Sequence, residues 1–134
     1  MSSNSHSLDL PFQRLRQVRT SLLRLHKALL DHEKIAYERQ YGQIQSRGDF
    51  FNLVISHEWF GWLRPFSQFI VEIDEALSTK EPMTLEEATR LLAAARSLVT
   101  LSEGDAGGDR YHQAIQASPD IAFMHAEIAN LIDS

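Results

Sequence analysis

The chain has 134 residues, 43% hydrophobic and 23% charged, which fits one globular domain able to bury a core without metal or disulfide staples. It contains no Cys, so disulfides, cysteine zinc sites, iron–sulfur clusters and thiol catalysis are excluded, and a cytoplasmic address is the expectation. Charge is split along the chain: residues 1 to 47 hold eight Lys/Arg against four Asp/Glu, and residues 48 to 134 hold five against fourteen, giving +4 and −9 within a formal total of −5.

The polar run Met1 to Ser7 lacks the basic and apolar segments of a signal peptide. Residues 1–8 read as a disordered tail and 9–134 as a single helical domain. The first helix is expected to open near Asp9, with Pro11 in its initial turn, and to close near Gly42. Leu15, Val18, Leu22, Leu25, Leu29, His32 and Ala36 follow three- and four-residue steps and form its apolar stripe, with Arg16, Arg19, Arg24 and Lys27 pointing broadly away. Ser46-Arg-Gly-Asp49 has the spacing of a capping box for a second helix, whose stripe would be Ile55, Trp59, Trp62, Phe66, Ile70, Ile73 and Leu77. Pro65 lacks an amide proton and its ring would press on the carbonyl of Gly61, so this helix is expected to kink or break between the two.

A third helix is expected from the Thr84-Leu-Glu-Glu87 capping box, with Leu85, Ala88, Leu91, Leu92, Ala95, Leu98 and Val99 on its apolar side. Glu103 to Asp109 reads as a flexible loop and Asp109 to Ala117 as a short extra helix. Ser118-Pro119 starts a last helix that shows Ile121, Met124, His125, Ile128, Leu131 and Ile132. The expected class is all-α: an up-down-up-down four-helix bundle with its second helix kinked at Gly61/Pro65 and a short extra helix before the last one.

Gly-rich phosphate loops, G-x-S-x-G elbows and H-E-x-x-H motifs are absent. The chain has no E-x-x-H pair, and no two of its six His lie three or four residues apart, so ferritin-like and hemerythrin-like signatures are missing. A dispersed polar or divalent-metal cluster of His26, His32, Glu33, Glu58 and His125 is the alternative that helix pairing leaves open. For His32 and His125, the plainer reading is a core imidazole satisfied by Tyr or Glu. No catalytic or cofactor-binding residue is assigned. The basic run Arg14 to Lys27 could meet nucleic acid or an anionic membrane surface, but the acidic total disfavours a duplex-binding domain, and packing of this helix beside the acidic later ones is favoured.

The aromatic block from Phe50 to Phe69 is the most informative segment. If one helix runs through it, Phe50, Leu53, His57 and Phe60 project opposite the core stripe, leaving two apolar faces. The expectation is a non-enzymatic protein that self-associates through these four residues as a homodimer and docks a protein partner there, with burial of this face by the N-terminal segment or the 103–109 loop, or an apolar ligand between splayed helices, as the alternatives.

Trp62-Leu-Arg-Pro65, continuing through Ile73-Asp-Glu75, together with Leu25-His-Lys-Ala-Leu-Leu-Asp-His-Glu33, resembles a group of uncharacterised small bacterial helical proteins that share a W-L-R-P…I-D-E segment. The resemblance implies a bacterial source and assigns no residue a role.

Overall fold

The computed structural model describes the backbone of residues 2–100 and 106–133, and within these it is helical, with no strand. The first helix, α1 (Ser2–Tyr41), starts before Asp9 and takes in residues 2–8, so Pro11, expected in its first turn, lies inside it. Leu15, Val18, Leu22, Leu25 and Leu29 are all fully buried, as their spacing predicts. The stripe does not continue through His32, which is half-buried; it continues through Glu33, four residues after Leu29 and 4% exposed. Gly42 ends the helix at φ 97°, a left-handed conformation that glycine adopts without a Cβ penalty, and donates its amide to the Glu38 carbonyl at 2.9 Å.

The single kinked helix expected next is instead two helices with a tight turn between them. Ser46 caps α2 (Arg47–Ser56) by accepting the Asp49 amide at 3.0 Å. His57 then takes an extended conformation, φ −85° and ψ 137°, and stops the helix. A 3-10 turn, Glu58–Leu63, follows, and α3 (Arg64–Ser78) begins immediately before Pro65. Pro65 suits the start of α3: with no amide proton to donate it is at home in a first turn, and the new helix begins there.

Because the 3.6-residue rhythm stops at His57, side chains on either side of it no longer share a phase. Ile55, expected in the core stripe, is 55% exposed, whereas Phe60, expected on an outer face, is completely buried. Trp59 and Trp62 are half-buried; Phe66, Ile70 and Ile73 are buried, as expected.

Thr84 caps α4 (Leu85–Val99) by accepting the Glu87 amide at 3.1 Å, and Ser118 does the same for α6 (Pro119–Asp133) toward Ile121 at 3.3 Å. Between them lies α5 (Ala106–Ala117). It starts earlier than its sequence signal, so 106–109 of the expected loop are its first turn, while 103–105 lie outside the described residues.

Helix α1 packs against α3, α4 and α6, and α4 touches both α3 and α6. Helix α5 rests on α6 and the 3-10 turn, and α2 packs chiefly on that turn. The common core contains Leu22, Leu25, Phe60, Phe66, Leu91 and Ile128. Ion pairs follow the charge split, with Arg19 of α1 on Asp74 of α3 and Arg24 on Glu127 of α6, the latter at 3.7 Å. Such exposed pairs contribute little stability singly, but they occupy two cations of the basic face. No described helix is long and apolar enough to cross a membrane.

Candidate functional site

Two regions next to the broken helix carry polar groups in unusual surroundings. The first is built on Glu33. Its carboxylate, 5% exposed, accepts the Trp62 indole N–H at 3.2 Å and forms an ion pair with Arg110 of α5. The Arg110 guanidinium also lies over the Trp59 ring, 4.8 Å from its centroid. A carboxylate this deep is costly to desolvate, and the charge-assisted bonds from Arg110 and Trp62 offset that cost. They tie α1, the 3-10 turn and α5 together at one point.

Beside this cluster lies a cleft of about 490 Å³, lined by Trp59, Trp62, Arg64, Pro65, Leu98 and Gly107, with Glu58, Gly61, Gly108 and Arg110 completing it. A Cβ at Gly61 would come within 3.3 Å of the Arg64 guanidinium, which would have to give slightly to admit it. Arg64 donates through Nη2 to the His57 carbonyl at 3.0 Å, and among the described residues it has no carboxylate partner. Its Nε and the Trp59 indole N–H are buried and meet no acceptor.

The second region is the sleeve around α2. His57 caps the 3-10 turn, its Nδ1 accepting the Trp59 amide at 3.0 Å, and its ring meets Tyr37 and Tyr41 edge-on. Phe50 packs on Phe60 with Lys34 over its ring, and Leu53 and Val54 are half-buried against the core. Of the four residues expected at an interface, Phe60 is fully buried in the chain's own core and Phe50, Leu53 and His57 are half-buried. The outward face carries Phe51 and Ile55, one helical turn apart and 64% and 55% exposed.

The dispersed cluster does not assemble. Glu33 pairs with Arg110 and Glu58 lies exposed at the rim of the cleft. His26 faces a smaller cavity with Val54, Phe60 and Ser67, and His32 is half-buried on α1. His125 pairs with Tyr111 across α5 and α6, Tyr111 Oη to His125 Nδ1 at 2.7 Å. No group of three or more His, Asp or Glu among the described residues could hold a metal ion. Sequence reasoning missed Arg64, Arg110 and Trp59 as site residues. Arg110 is 77 positions from Glu33, and no local spacing signals such a pairing.

Burial raises the Tyr111 hydroxyl well above its usual range, so it stays protonated and shares a hydrogen bond with His125 Nδ1. Burial lowers His26, and burial together with nearby His112 lowers His125. A histidine whose pKa falls on folding binds its proton better when unfolded. Its contribution is therefore intact above pH of about 6.5 and is lost as pH drops from there toward the folded value. The expected result is a Tm that declines from pH 7.5 to pH 5 in circular-dichroism melts, with a shallower decline in His125→Gln, which keeps an acceptor for Tyr111.

Comparisons with protein-family models, with curated proteins and with solved structures find no match to this chain.

Proposed function

We propose that this is a non-enzymatic helical-bundle protein, with α1, α3, α4 and α6 in up-down-up-down order, that self-associates as a two-fold homodimer through the outer face of α2. One observation carries the reading: α2 buries none of its ten residues, yet it presents Phe51 and Ile55 to solvent on one side. A ten-residue helix has little stability of its own, so packing on both sides favours it. A second copy suits this face because Phe51 and Ile55 stand one turn apart, so an antiparallel copy offers the same two side chains in reverse order. Antiparallel pairing about a two-fold axis sets Phe51 of one copy against Ile55 of the other.

Light scattering coupled to size-exclusion chromatography tests the reading. Wild type is expected to elute as a dimer, and the Phe51→Asp/Ile55→Asp double variant as a monomer of unchanged helicity. A monomeric wild type at high micromolar concentration, or a double variant that stays dimeric, overturns it.

A further inference from the structure

We propose that the cleft between the 3-10 turn, the start of α3 and the start of α5 binds a small aromatic carboxylate. Its walls set the apolar part of the ligand. Trp59, Trp62, Pro65 and Leu98 offer ring and aliphatic surface, and about 490 Å³ lies within the range of small-molecule sites. Gly107 keeps the wall on the α5 side low, since a Cβ there would already touch the Trp62 Cβ at 3.6 Å.

The polar groups set the rest. The Arg64 Nε and the Trp59 indole N–H are buried donors without an acceptor, and leaving such a donor unpaired is unfavourable. A carboxylate entering the cleft can draw the Arg64 fork and the Trp59 indole edge onto its two oxygens, a side-chain adjustment of the kind common on binding. Arg110 serves differently: its charge is neutralised by Glu33, and it fixes the Trp59 ring from one face. One uncompensated cation with Glu58 at the rim favours a monoanion over a phosphate dianion, which would bring a second charge with no partner.

The chain's two tryptophans both line the cleft, so their indole N–H signals in a nitrogen-15 correlation spectrum read the site directly. Benzoate, phenyl phosphate and benzyl alcohol are titrated into the full chain. Benzoate is expected to shift the Trp59 signal saturably and downfield, with a smaller change at Trp62, which is already bonded to Glu33. Phenyl phosphate and benzyl alcohol are expected to bind more weakly. Arg64→Gln is expected to weaken benzoate about tenfold or more, the share of a charge-assisted hydrogen bond. Should Arg64→Gln fail to fold, Gly107→Leu decides, because it fills the cleft from a helix position and leaves both donors in place; it is expected to abolish the shift with an unchanged unfolding midpoint. The proposal is overturned if benzoate gives no saturable shift up to its solubility limit, if benzyl alcohol or phenyl phosphate binds as tightly, or if folded Arg64→Gln or Gly107→Leu binds benzoate like wild type.

Discussion

Glu33→Ala is expected to lower unfolding stability by about 3 kcal/mol or more in urea titrations followed by circular dichroism, because removing one member of a buried pair strands the other. Arg110 would keep its charge over Trp59 with no counterion, and the Trp62 indole would lose its acceptor. Arg110 is 31% exposed and regains some water, so the lower end of the usual 3–5 kcal/mol for such a break is the better guide. The double variant Glu33→Leu/Arg110→Met removes both charges at once and is expected to recover most of the loss, since apolar side chains of similar size commonly replace a buried pair without penalty. A loss below about 1 kcal/mol for the single variant would mean the pair is solvated in solution and does not tie α5 to α1.

The second large effect concerns the aromatic block. Phe60→Ala is expected to cost about 3–5 kcal/mol, the range for truncating a phenylalanine in a close-packed core, because the ring is fully enclosed among Tyr37, Phe50 and the α1 stripe. Phe51→Ala, nine residues earlier, is expected to change monomer stability by no more than about 0.5 kcal/mol. Ordering these two variants the other way would restore the continuous helix that the spacing alone implies.

The stripe of α1, the caps at Ser46, Thr84 and Ser118, and the core faces of α3, α4 and α6 could be read from the sequence, because each depends on residues within one or two turns of each other. The phase break could not. Pro65 signals a discontinuity, but nothing local places it at His57, eight residues upstream, and a shift of phase there changes which side chains around the break face inward, while Phe66, Ile70 and Ile73 keep their expected face. That displacement exchanged the roles of Ile55 and Phe60 and hid Trp59 and Arg64 as neighbours in one cleft. Glu33 was half legible: its four-residue step from Leu29 puts it in the apolar stripe, but its partner lies on α5, a long-range contact that no spacing rule reaches.

A cysteine-free chain allows a direct test of the break. Phe51→Cys and Phe60→Cys, each diluted until light scattering shows a monomer, are labelled with a thiol reagent under native conditions. With the helix interrupted at His57, the thiol at position 51 reacts at the rate of a free cysteine, while that at position 60 reacts only as fast as the protein unfolds. Rapid native labelling at position 60 together with protection at position 51 would contradict the account.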